Sequence, residues 1–208
     1  TLKAQITTHP CINLDEKSFF NQEAHTYILK LSPFQSGEEY LQSLSSKLRA
    51  EVRKGIKQEL TIKEVKDEND LKTYFDFVNK NRQGNNIHTI SEEHFKLSWK
   101  IFSSEKLVRY FLIYKDGEPM ASQGVNVSHN GFTLVQTSTS KRSYELKLKS
   151  NDVMQYLMVE LAIKENMDYV DWGGTQPGST DPKMISIDKF KAKWGGQIVS
   201  YPVYMKGY

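Results

Sequence analysis

Three strand-like runs, Leu107 to Lys115, Pro119 to Ser128 and Gly131 to Thr139, are separated only by short turns built on Asp116-Gly117 and Asn130-Gly131. No other stretch constrains the fold as strongly. Asp-Gly and Asn-Gly tolerate the positive φ of tight hairpins, so the three runs are expected to pair as an antiparallel meander.

Helical periodicity surrounds this meander. Tyr27-Ile-Leu-Lys-Leu31 alternates like a short strand that Pro33 stops. From Ser36 to Gln58, Leu41, Leu44, Leu48, Val52 and Ile56 recur at three- and four-residue steps, the signature of one helix of about five to six turns. Arg49, Arg53 and Lys57 follow the same step on its flank. Leu60 to Val65 alternates as a strand. Asp70 to Arg82 and a segment opened by Ser91-Glu-Glu-His94 read as two helices around the polar loop Gln83-Gly-Asn-Asn86, with Phe95, Trp99 and Phe102 sharing a face.

After the meander, Ser150 is placed to cap a helix over Asn151 to Asn166 whose Val153, Met154, Leu157, Met158, Leu161 and Ala162 form a broad apolar face. Tyr169-Val-Asp-Trp172 reads as a strand running into a Gly/Pro/Ser-rich loop, Gly173 to Pro182. Ile187, Phe190 and Trp194 then mark a short helix ended by Gly195-Gly196, and Ile198 to Met205 a last strand. Strands with helices between and after them indicate an α+β fold around one central sheet.

The chain has 208 residues, 38% hydrophobic, which suits one domain over 26–208 preceded by an arm, 1–25, that reads as the remnant of a longer chain beginning at Thr1 rather than Met. A net charge of +3 is too small for wholesale nucleic-acid coating, and no stable DNA binding is expected. The single Cys11 excludes an internal disulfide and fits a reducing compartment. No apolar run approaches the roughly 18 residues of a membrane span. A cytoplasmic protein is expected, with membrane contact at most peripheral. The five histidines are scattered without zinc spacing, so no metal site is expected, and neither a Walker loop nor a Gly-x-Ser-x-Gly elbow occurs.

The order of elements resembles the acyltransferase fold of the GNAT superfamily, an α+β architecture with a central mixed or antiparallel sheet flanked by helices. Four fragments resemble its FemAB-like branch in particular: Leu48-Arg-Ala-Glu-Val-Arg-Lys54, Lys115-Asp-Gly-Glu-Pro-Met-Ala121, Asp171-Trp-Gly-Gly174 and Ile187-Asp-Lys-Phe-Lys-Ala-Lys-Trp-Gly-Gly196. The resemblance covers about Tyr27 to Tyr204. It implies a transferase that moves an aminoacyl or acyl group onto an amine of a cell-envelope precursor of peptidoglycan or polysaccharide, with aminoacyl-tRNA or acyl-CoA as donor. Family members usually pair two such lobes, and this chain has the length of one.

The same resemblance singles out Lys191, which matches the family's Phe-Lys pair with Phe190. A fixed ammonium there steadies oxyanionic charge as an ester or thioester carbonyl is attacked. Lysines 189, 191 and 193 also suit the negative end of a helix macrodipole, which is their ordinary reading. Asp171 can accept a proton from the attacking amine or simply cap the glycine turn. Gly173 and Gly174 can expose backbone to a ligand or serve a tight turn. Arg49, Arg53 and Lys57 can grip substrate phosphates or form a solvated flank balanced by Glu51 and Glu59, and Arg49, nearest the apolar stripe, is expected in a cleft.

One departure bears on the donor. Relatives that use acyl-CoA cradle its pyrophosphate on a glycine-containing loop, and Tyr144 to Asn151 has no glycine. Lys147, Lys149 and the N–H groups after Ser150 remain candidates for another phosphate. The competing readings are a CoA-dependent N-acyltransferase and a noncatalytic substrate-binding lobe.

Overall fold

The computed structural model describes the backbone of residues 4–7 and 20–206 and the side chains of residues 23–203. Cys11 and much of the 1–25 arm lie outside the described residues. In chain order the first elements are β1 (Ala4–Thr7), β2 (Phe20–Lys30), α1 (Gly37–Ser43), α2 (Ser46–Ile56), β3 (Thr61–Glu64), α3 (Glu68–Gly84) and α4 (Glu92–Ser104). There follow β4 (Val108–Lys115), β5 (Glu118–Val127), β6 (Gly131–Thr139), α5 (Lys141–Glu145), α6 (Ser150–Lys164), β7 (Tyr169–Thr175), α7 (Pro182–Ala192) and β8 (Gln197–Lys206). The chain divides into two compact units, 31–170 and 1–30 with 171–208.

In the unit of residues 31–170 the expected meander is present. Strands β6, β5, β4 and β3 pair antiparallel in that order, with Ile62 opposite Ile113 and Val125 opposite Leu134. Asp116 and Gly117 take φ of 51° and 79°, the left-handed pair that a tight hairpin requires. The Asn130-Gly131 turn works differently, since neither residue has positive φ. Gly131 is needed there for space: a Cβ would stand 2.5 Å from Cε2 of Tyr169.

Helices α3 and α4 bury Leu71, Tyr74, Phe77, Val78 and Phe95 against Tyr110 and Leu112 of β4. The rings of Tyr74 and Tyr110 stack at 4.5 Å, and Phe95 and Tyr110 at 5.2 Å. Phe102, expected on the same face as Phe95, is exposed instead.

The single helix expected over Ser36 to Gln58 is two. Leu44 adopts extended backbone, and Ser45 starts α2 by accepting a hydrogen bond from Leu48 N at 3.3 Å. The apolar stripe runs on through this break because Leu41, Leu44, Leu48 and Val52 are all buried, so periodicity alone conceals the cap. Ser150 likewise does not cap α6. Lys149 is its N-cap, and the buried Ser150 hydroxyl pairs with Ser143 Oγ at 2.6 Å. The short α5 was not expected; Ser140 caps it by accepting from Ser143 N at 3.0 Å.

In the other unit, β1, β8 and β2 pair antiparallel in that order, with Ala24 opposite Tyr201, and β7 follows β2. The stretch expected as a glycine loop after Trp172 is strand as far as Thr175, Gly173 taking φ of 79° within it. Asp181 caps α7 by accepting from Lys183 N at 2.8 Å, and Pro182 opens the helix where its missing N–H costs nothing. Past its end, Trp194 is fully buried and stacks on Trp172 at 5.8 Å.

Replacing Gly131 should therefore test the meander's last turn. Gly131→Ala is expected to lose about 1–3 kcal/mol in urea denaturation because the Tyr169 ring must move, whereas Gly84→Ala, with open space around it, should be neutral or slightly stabilising.

Candidate active site

The site is built where β7 ends and α7 returns over it. Asp171 is buried at the strand, and its Oδ1 accepts hydrogen bonds from the Thr26 hydroxyl of β2 and from Gly173 N, the latter at 2.7 Å. This carboxylate fixes the backbone bend at Gly173, whose left-handed φ a Cβ-bearing residue adopts only with strain. The bend exposes two carbonyls. Lys191 of α7 donates its ammonium to both, to Gly173 O at 2.9 Å and to Gly174 O.

An ammonium carries three N–H donors. Two are engaged by the carbonyls of Gly173 and Gly174. Burial pulls the Lys191 pKa below the ordinary lysine value, opposed by the negative charges of Asp188 and Asp171. Neither carboxylate forms an ion pair with it within 4.0 Å among the described residues, so its charge is not cancelled by direct contact. Asp188 itself accepts a hydrogen bond from the buried Thr175 hydroxyl. Burial and the charge of Asp188 raise the pKa of Tyr27, and burial and Asp171 raise that of Tyr201.

Of the residues singled out in the sequence, Lys191, Asp171, Gly173 and Gly174 thus come together. Phe190, adjacent to Lys191, packs edge-on against Trp194 and lies under the Lys193 ammonium at 4.6 Å. Lysines 191 and 193 differ accordingly: one sits on carbonyls, the other on aromatic rings. Thr26, Thr175 and Asp188 escaped the sequence reading. Asp188 had a signal, since it precedes Lys191 by three residues and shares its helix face; Thr26, distant in sequence from Asp171, had none.

The other candidates belong to the unit of residues 31–170. Arg49 is not held free in a cleft: its Nη1 donates to Gln42 O and Leu44 O, both at 2.7 Å, and so closes the C-terminal end of α1. Arg53 pairs with Glu38 at 2.8 Å on the surface, and Lys57 is exposed. Lys149 pairs with Glu51 at 2.5 Å, and its backbone N–H is taken by Gln58 Oε1 at 2.9 Å. Gln58 also donates to Lys147 O at 3.3 Å. The segment before α6 is therefore clamped to α2, and the first of its N–H groups is already satisfied.

The family model of the acetyltransferase (GNAT) domain matches residues 42–184. The chain belongs to this family. No curated protein matches it by sequence. Among solved structures, FemX is similar over 90% of this chain and 63% of its own, at 14% identity and a TM-score of 0.74. The C-terminal domain of an Agrobacterium fabrum protein described as a lysylphosphatidylglycerol synthetase is similar over 92% of this chain and 62% of its own, at 13% identity and a TM-score of 0.67. L-PGS from Bacillus licheniformis follows at 10% identity, 90% and 61% coverage and a TM-score of 0.60. The chain spans less than two thirds of the length of each.

The GNAT fold expected from the sequence is the fold present, and the domain is of the acyltransferase type. Among the described residues no helix is long and apolar enough to cross a membrane, and no group of three His, Cys, Asp or Glu residues is placed to hold a metal.

Because Lys191 binds its proton less tightly in the folded GNAT domain than in the unfolded chain, the unfolded state holds more protons between the two pKa values, and stability must rise with pH across that window. Unfolding free energies of wild type and Lys191→Met, measured at several alkaline pH values below about 10.5, should show wild type gaining on the variant as pH increases. Parallel curves would contradict the burial of the ammonium.

Proposed function

We propose that this GNAT domain transfers an aminoacyl group, or another activated acyl group, onto an amine of a cell-envelope precursor. The observation that carries the reading is the half-buried Lys191 ammonium, held on the Gly173 and Gly174 carbonyls with a third N–H to give. The likeness to FemX and to a domain named for lysylphosphatidylglycerol synthesis, together with the FemAB-like fragments of the sequence, supports an envelope substrate.

In the reaction the acceptor nitrogen attacks the donor carbonyl, a C–N bond forms, the C–O bond of the ester breaks, and the proton that the nitrogen sheds ends on the leaving oxygen as a hydroxyl. Lys191 donates its remaining N–H to the carbonyl oxygen as negative charge gathers there. Such a donor contributes most in the transition state, where that charge is greatest. No covalent enzyme intermediate is needed.

An aminoacyl ester is favoured over a CoA thioester as donor by the segment before α6. It lacks glycine, its Lys149 N–H is occupied by Gln58, and the Lys149 ammonium is paired with Glu51. A pyrophosphate that used Lys149 would have to displace both.

The test is product mass spectrometry after incubating the protein and an amine acceptor with aminoacyl-tRNA or with acetyl-CoA. Aminoacylated product is expected from the first, and Lys191→Met should cut its formation by about 10²–10³-fold while circular dichroism stays unchanged. Acetylated product with no response to aminoacyl-tRNA would transfer the reading to the CoA-dependent alternative. Undiminished turnover in Lys191→Met would remove Lys191 from the mechanism.

A further inference from the structure

Helix α7 presents a problem of placement. A helix is normally set on its sheet by an apolar stripe, yet none of the residues of α7 is fully buried, and the large buried side chain nearest to it, Trp194, lies beyond its end. Polar contacts hold it instead. Asp188 accepts from Thr175, and one turn later Lys191 donates to Gly174 and Gly173. As the helix advances from 188 to 191, its partners on β7 run backwards from 175 to 173. Two such points fix both the rotation of the helix and its slide along the strand.

We propose that Asp188 and Thr175 are positioning residues for Lys191: their hydrogen bond sets the register that lays the ammonium on the Gly173 and Gly174 carbonyls and brings the Asp188 carboxylate near it. The inference rests on the reading of Lys191 as the reacting cation. The charged and titratable groups around this cation are Asp188 on its own helix, Asp171 on β7, Tyr27 of β2 beside Asp188 and Tyr201 of β8 beside Asp171. The Lys193 ammonium lies over the rings of Phe190 and Trp194.

The two parts of the proposal separate by substitution. Asp188→Asn keeps an oxygen for the Thr175 hydroxyl but removes the charge. Thr175→Val removes the hydroxyl but keeps the charge. Both are read by NMR titration of lysine side chains in the ¹³C-labelled protein, with the Lys191 resonance assigned by its absence from Lys191→Arg. In Asp188→Asn the Lys191 midpoint should fall further, by about half a unit or more. In Thr175→Val it should move the opposite way, towards the ordinary lysine value, as the side chain is released into water, and Thr175→Ser should restore the wild-type midpoint.

A midpoint unmoved by Asp188→Asn, or Thr175→Val titrating like wild type, would overturn the proposal. Should Thr175→Val fail to fold, as shown by circular dichroism, Asp188→Asn decides alone. The titration needs no substrate. Shifted midpoints with a fully active Lys191→Met would sink the functional reading and spare the positioning role of Asp188 and Thr175, while unmoved midpoints with an inactive Lys191→Met would sink that positioning role alone.

Discussion

The contact between the Lys191 ammonium and the carbonyls of Gly173 and Gly174 organises this end of the molecule. Each neighbouring feature has a reason once that contact is given. Gly173 must adopt a left-handed φ so that successive carbonyls turn to one side. Asp171 must hold that bend through the Gly173 N–H while anchored to Thr26. An ammonium satisfied by neutral acceptors keeps its full charge, in contrast to one paired with a carboxylate, and partial burial strengthens the field it exerts on a nearby oxyanion. The same burial lowers its pKa, against the pull of the Asp188 and Asp171 charges.

Much of this was legible in the sequence, for physical reasons that differ from residue to residue. Asp116-Gly117 announced its hairpin because the φ values it needs are available to few dipeptides. Gly131 was read correctly as a turn but for the wrong reason, since its requirement comes from the ring of Tyr169, a tertiary neighbour that no local rule supplies. The break between α1 and α2 was hidden because Leu44, although extended, keeps the buried stripe in phase. Lys191 was visible through the Phe-Lys pair, but its carbonyl partners were expected in a loop and lie in the strand. Thr26 could not be seen from Asp171, 145 positions away.

The basic flank of α2 shows why charge patterns underdetermine function. Arg49, Arg53 and Lys57 follow one four-residue step, yet one closes a helix end, one pairs with Glu38 and one is exposed. Likewise Lys147 and Lys149 are candidates for a phosphate in sequence, whereas Gln58 and Glu51 engage Lys149. Membership of the GNAT family gives the acyltransferase type of the domain, and the identity of the acyl group lies with the donor these surfaces admit.

The central claim is that Lys191 is held by two backbone carbonyls. Scalar coupling across a hydrogen bond, from the ¹⁵Nζ of Lys191 to the carbonyl ¹³C of Gly173 and Gly174, measures that contact itself. A resolvable coupling is expected, with slowed exchange of the Lys191 ammonium protons compared with those of Lys189. Fast exchange without coupling, indistinguishable from Lys189, would contradict it.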